Sequence, residues 1–91
     1  MSDLPNWRKQ LDELDAEIIR LMARRFEVTR KIGEHKAAGD LPVRDEVREQ
    51  QQLERIQELA RDQGVDAELT VRVMQAIIDE SAKQQMGVRS N

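Results

Sequence analysis

Ninety-one residues, 38% of them apolar, 36% charged and only 2% aromatic, leave room for one domain and point to long helices rather than strands. The chain has no cysteine and one histidine (His35), which excludes disulfide scaffolds, thiol nucleophiles, cysteine zinc sites and a multi-histidine metal site within one chain. Its net charge of −3 is spread over interspersed acids and bases, and no apolar run nears the roughly 18 residues of a membrane span. The expectation is therefore a cytoplasmic protein with no metal, nucleic-acid or membrane partner.

In chain order, the first periodic segment runs over about 5–38, with Pro5 in its first turn. Its apolar stripe is Leu4, Trp7, Leu11, Leu14, Ile18, Leu21, Val28 and Ile32, interrupted by Arg25. Gly39-Asp40-Leu41-Pro42 stops it. Asp45 is placed to cap a second helix over about 45–63, Gly64-Val65 stops that one, and Asp66 caps a third over about 66–86. Gly87 to Asn91 are expected to fray. With no internal repeat and no linker, residues 1–91 read as a single all-α domain of three helices.

The first helix should be about 50 Å long, whereas a compact chain of this size has a radius of gyration near 12 Å. Two shorter helices cannot cover its stripe from end to end. An intertwined helical homodimer built on paired long helices is expected; a monomeric three-helix bundle is the alternative.

Polar side chains stand where apolar ones belong. Arg25 takes a core-facing position, and Lys36, about three turns later, points the same way. On the third helix the stripe Val71, Met74, Ile78 continues into Ser81 and Gln85. On the second, Asp45, Glu49 and Gln52 precede Ile56 and Leu59 on one face. Buried cations need partners, so inward-facing Arg25 and Lys36 call for an anionic ligand between the helices. Arg outnumbers Lys eleven to four, in keeping with carboxylate recognition. Trp7 and Phe26 read as packing residues, and His35 as exposed.

Over about Leu4 to Gln85 the chain resembles the all-helical chorismate mutase family. The matching stretches are Arg8 with Leu11, Leu14, Asp15 and Ile18, then Leu21-Met22-Ala23-Arg24-Arg25, Ile32-Gly33 with Lys36, Pro42-Val43-Arg44-Asp45 with Arg48-Glu49, and Ile77-Ile78-Asp79-Glu80-Ser81 with Gln84-Gln85. The resemblance implies a cofactor-free isomerase that converts chorismate to prephenate in aromatic amino-acid biosynthesis. It implies that Arg25 pairs with one carboxylate, and Lys36 with the ether oxygen and the enolpyruvyl carboxylate. Gln85 would donate to the same ether oxygen. Glu49, with the backbone near Asp45, would take the ring hydroxyl; Ser81 would support the ring carboxylate; Arg48 would add positive potential. Ile32 and Ile78 would pack on the carbocycle, and Arg8 would come from the partner chain. Helix geometry supports the last role separately: Arg8 and Arg25 are about 25 Å apart on one helix and cannot grip one small ligand together.

Three other readings are weighed beside this one. A mutase acting on 4-amino-4-deoxychorismate differs by one exchange at C4. An isochorismate-pyruvate lyase on the same fold is not expected to keep Asp45 and Glu49. A non-catalytic helical dimerisation module would have no reason to bury Arg25 and Lys36. No dehydratase or dehydrogenase segment is expected beside the catalytic domain.

Overall fold

The computed structural model describes residues 2–90, without the side chains of 89 and 90. Three helices make up the fold: α1 (Leu4–Ala38), α2 (Glu46–Asp62) and α3 (Ala67–Ser90), with no strand among the described residues. The helix α3 packs against both α1 and α2, which do not approach each other backbone to backbone.

Local chemistry sets the helix ends. Asp45 Oδ1 accepts from the Arg48 amide at 3.0 Å, and Asp66 Oδ1 from the Leu69 amide at 2.8 Å, so each aspartate satisfies a free first-turn donor. The stop after α2 has the expected left-handed glycine: Gly64 has φ +70°, and Val65 N donates to Ala60 O at 2.8 Å. The stop after α1 makes the same pattern differently. Leu41 N donates to Lys36 O at 2.7 Å, but the left-handed residue is Asp40 (φ 53°) and not Gly39 (φ −93°). A short polar side chain tolerates that conformation, so glycine is not required one residue later. The expected fraying from Gly87 is not seen, since α3 continues to Ser90; Asn91 lies outside the described residues.

The long helix is covered along part of its length only. The molecule extends 61 Å by 27 Å by 14 Å, with a radius of gyration of 16.7 Å. Trp7, Leu11, Leu14, Ile18 and Leu21 are all more than half exposed. The single chain exposes 7389 Å², where a compact monomer of 10.6 kDa would expose roughly 5,500 Å². Leu59, expected on the inner face of α2, is 46% exposed; the buried residue there is Ala60.

Apart from Ala60 on α2, what is buried lies where α1 and α3 cross. Gly33, Ile78, Ser81 and Gln85 are buried, and the last three are each only 6% exposed. Gly33 permits the approach: a Cβ at that position would lie 2.5 Å from Gln85 Cγ. Gln85 is not free to move away, because its Nε2 donates to Thr29 O at 3.0 Å.

Gly33→Ala should therefore lower stability. The helix-propensity gain of about 1 kcal/mol is outweighed by an overpacking penalty of about 1–3 kcal/mol. Gly87→Ala is the control, since a Cβ there meets nothing within 4 Å and should leave stability equal or higher. Urea midpoints read the pair; equal gains at both positions would refute the tight crossing.

Candidate active site

One cleft of about 280 Å³ opens between the three helices beside this crossing. From α1 it is lined by Arg25, Thr29, Ile32 and Lys36; from α3 by Ile78, Ser81, Ala82 and Gln85. The connector and α2 supply Val43, Arg44, Asp45, Arg48, Glu49 and Gln52. Nine of the residues singled out from the sequence as site residues thus line one cleft: Arg25, Ile32, Lys36, Asp45, Arg48, Glu49, Ile78, Ser81 and Gln85. Arg8 does not belong to it.

The α1–α3 side is a chain of hydrogen bonds. Thr29 Oγ1 donates to Phe26 O at 3.1 Å and lies 3.3 Å from Ser81 Oγ, which in turn donates to Ile77 O at 3.0 Å. Both hydroxyls are thereby fixed on the floor of the cleft. The Gln85 amide spends one N–H on the Thr29 carbonyl, an acceptor, and this identifies the nitrogen end without ambiguity. Its second N–H remains for a ligand. Gln85 Oε1 and Arg25 Nη1 are both buried with no hydrogen-bond partner. Native proteins rarely leave such atoms unsatisfied, so a donor and an acceptor held ready in one cleft mark a ligand position.

The opposite wall is held by charge. Lys36 Nζ donates to Val43 O at 3.0 Å, drawing the connector over the cleft. The next residue, Arg44, grips Glu49 with two donors, Nε to Oε2 at 3.0 Å and Nη2 to Oε1, while Nη2 also reaches Asp79 Oδ1 at 2.9 Å. Glu49 first, and Asp79 second, hold the Arg44 guanidinium more firmly charged than a free arginine. Arg44 in turn keeps the Asp79 carboxyl below the usual range, helped by the Gln75 amide at 3.0 Å.

The other cations are unmatched. Among the described residues no carboxylate lies within 4.0 Å of Arg25, Lys36 or Arg48. The cleft therefore offers three positive side chains without an ion-pair partner, a neutral donor at Gln85, and apolar surface from Ile32 and Ile78. It suits a small apolar ring carrying more than one carboxylate. No group of three or more His, Cys, Asp or Glu side chains that could hold a metal ion occurs among the described residues.

Sequence reasoning missed Thr29, Arg44 and the Val43 carbonyl as parts of the site. Thr29 had a readable signal, lying one turn from Arg25 and two from Lys36 on the same face of α1. The other two lie in a connector with no periodicity to read, and only the matching stretch Pro42-Val43-Arg44-Asp45 drew attention there, without a role for either.

The chain is similar to known chorismate mutases. The family model for chorismate mutase type II matches residues 7–86. The chain is 31% identical over 72 residues to the chorismate mutase of Methanocaldococcus jannaschii, covering 79% of this chain and 73% of that protein. It is 33% identical over 81 residues to the bifunctional chorismate mutase/prephenate dehydratase of Escherichia coli, covering 89% of this chain and 21% of the other. A protein of the same description from Buchnera aphidicola of Schizaphis graminum is 31% identical over 84 residues, 92% of this chain and 22% of the relative. The chain thus spans about a fifth of the length of those two bifunctional relatives.

The Arg44–Asp79 contact makes a titration prediction. A carboxyl pKa lowered by folding contributes stability above its unfolded value, and that contribution fades as pH falls through the lowered one. Carboxyl NMR should show Asp79 titrating below the ordinary aspartate range, and moving back up in Arg44→Met. Equal midpoints in the two proteins would break the assignment.

Proposed function

The chain belongs to the chorismate mutase type II family, and from that premise we propose that it catalyses the rearrangement of chorismate to prephenate. The reaction breaks one ether C–O bond and forms one C–C bond within a dianion, with no proton, electron or group exchanged. An enzyme for it need only hold both carboxylates, select the folded conformer and stabilise negative charge growing on the ether oxygen. The observation that carries the proposal is the buried, unpartnered Arg25 Nη1 in a cleft whose cations Arg25, Lys36 and Arg48 have no countercharge.

Each side chain then has a task. Arg25 pairs with one substrate carboxylate. Lys36, already directed across the cleft by Val43 O, retains two N–H donors for the ether oxygen and the enolpyruvyl carboxylate. The free N–H of Gln85 donates to the same ether oxygen, from an amide whose orientation the Thr29 carbonyl sets. Glu49 and the backbone near Asp45 take the ring hydroxyl, Ser81 supports the ring carboxylate, and Arg48 adds positive potential. Ile32 and Ile78 supply the apolar contact that orients the carbocycle.

The working unit is a homodimer, with the partner's α1 laid along the uncovered half of α1. The roughly 1,900 Å² by which this chain exceeds the area of a compact monomer supports this reading, as two chains would together supply roughly 3,800 Å², within the range of obligate interfaces. An open apolar groove of about 400 Å³, with Ile56, Leu59 and Met74 on its walls, adjoins Arg25 and Arg48 and offers a seat for that helix. Arg8, about 25 Å from Arg25 along the same helix, serves the partner's cleft.

Purified protein without additives should consume chorismate and release prephenate. Release of pyruvate would indicate the lyase, and turnover of neither chorismate nor 4-amino-4-deoxychorismate would overturn the enzymatic reading. Arg8→Ala and Arg25→Ala should each be nearly inactive alone but recover activity when co-expressed, because one site of a mixed dimer collects both lesions and the other neither. Mixtures no better than the single variants would refute the shared site.

Gln85→Glu tests the ether-oxygen donor. An ionised carboxylate at this position faces the Thr29 carbonyl and the developing ether charge, and can donate to neither. Burial raises its pKa above about 4.3, while Lys36 and Arg25 pull it down. Activity should be poor at pH 7.5 and recover as pH falls and the carboxyl protonates. A flat profile at near-native rate would leave Gln85 a packing residue.

A further inference from the structure

We infer that Arg44 is a specificity-determining positioning residue, which acts through Glu49 to make the ring-substituent end of the cleft accept a neutral hydroxyl and reject an ammonium. The inference rests on the proposed mutase function and deepens it.

The geometry comes from a connector fastened at both sides. Lys36 Nζ holds Val43 O at 3.0 Å, which fixes the backbone just before Arg44. The Arg44 guanidinium then lies against both oxygens of Glu49 and is steadied from behind by Asp79 on α3. Glu49 has only 20% of its side chain exposed, whereas Asp79 has 54%. Its charge is therefore the less screened of the two, and the Arg44–Glu49 pair dominates what a ligand meets.

A carboxylate has about four lone-pair positions, and the two-donor grip uses one on each oxygen. Two remain for the ligand, all that a hydroxyl requires. The grip also removes the rotational freedom of Glu49, so the acceptor is in place before substrate arrives. Charge is treated differently. A hydroxyl bound to Glu49 brings none, but an ammonium would sit roughly 5–6 Å from the guanidinium, two hydrogen-bond lengths away. Arg44 cancels most of the attraction Glu49 would otherwise offer it and adds repulsion. An isolated glutamate would favour the amine; the paired one favours the hydroxyl.

The test measures kcat and KM for chorismate and for 4-amino-4-deoxychorismate with the wild-type chain, Arg44→Met, Arg44→Lys, Glu49→Gln and the double variant Arg44→Met/Glu49→Gln. Arg44→Met should lower kcat/KM for chorismate about 10- to 100-fold, in line with a loosened contact. It should raise the amine-to-hydroxyl ratio of kcat/KM by about 10-fold or more. Arg44→Lys restores the charge without the two-donor fork, so it should return the ratio towards wild type while chorismate turnover recovers in part. In the Glu49→Gln background the Arg44→Met effect should shrink to under about 3-fold, the signature of one residue acting through another. Thermal melts of each variant separate these effects from unfolding, and Arg44→Gln, polar but uncharged, takes the place of Arg44→Met in every comparison if that variant does not fold. Equal losses for both substrates with an unchanged ratio, or an Arg44→Met loss that persists at full size beside Glu49→Gln, would overturn the inference. If wild type turns over neither substrate, the mutase proposal itself has failed; if it turns over chorismate and the ratio does not move, only the role of Arg44 has.

Discussion

The arrangement of this chain depends on how closely α1 and α3 cross. At Gly33 there is no side chain, and Gln85 Cγ occupies the space a Cβ would take. That approach brings the Gln85 amide to the Thr29 carbonyl and Ser81 to within 3.3 Å of the Thr29 hydroxyl, so the two helices are joined by polar contacts where a bundle would ordinarily use leucines. A polar floor between two helices is stable only when each atom is satisfied. Here two atoms are not, Gln85 Oε1 and Arg25 Nη1, which the packing leaves buried and unpartnered on side chains that line the cleft. Structure and chemistry have the same origin in this contact.

The second wall is assembled by charge rather than by packing. The connector between α1 and α2 has little apolar surface to bury, and its position comes from Lys36 on one side and Arg44 on the other. Lys36 thus has two tasks that do not conflict. One N–H orients the connector and the others stay available, so the ammonium is positioned without being neutralised. Arg44 is the opposite case: it is paired with Glu49 and Asp79, so it adds no unmatched cation and instead places a carboxylate and offsets its charge. The remaining cations, Arg25, Lys36 and Arg48, make no ion pair among the described residues and leave a site tuned to an anion. Arg25 and Lys36 are half-buried and Arg48 is exposed, so gathering their like charges costs stability at the one place where a dianionic ligand would reverse it.

The uncovered half of α1 follows from length alone. A helix of 35 residues spans about 52 Å, and partners of 17 and 24 residues cannot shield it. The polar cleft and the bare apolar stripe lie on one continuous helix, with Arg25 near their border. A second copy laid along the stripe would therefore bring new side chains to the mouth of the cleft, and so couple assembly to the completeness of the site.

Much of this was legible in the residues. Periodicity of 3–4 along Leu4 to Ile32, Asp caps at 45 and 66, and few turn-formers determine three helices with little dependence on anything distant. The same periodicity exposed Arg25, Lys36, Ser81 and Gln85 as polar residues on inward faces, because a helix reports which side a residue occupies. Tertiary structure alone decided the rest. That Gln85 meets Gly33, residues 52 positions apart, depends on how two helices cross, which no local pattern encodes. The left-handed residue after α1 proved to be Asp40 rather than its glycine neighbour, since several residues can end a helix and the downstream path selects among them. Arg44 stayed hidden for a related reason. It sits in a connector without periodicity, and its partners Glu49 and Asp79 lie on different helices, so their meeting is a property of the packed chain and not of its spacing.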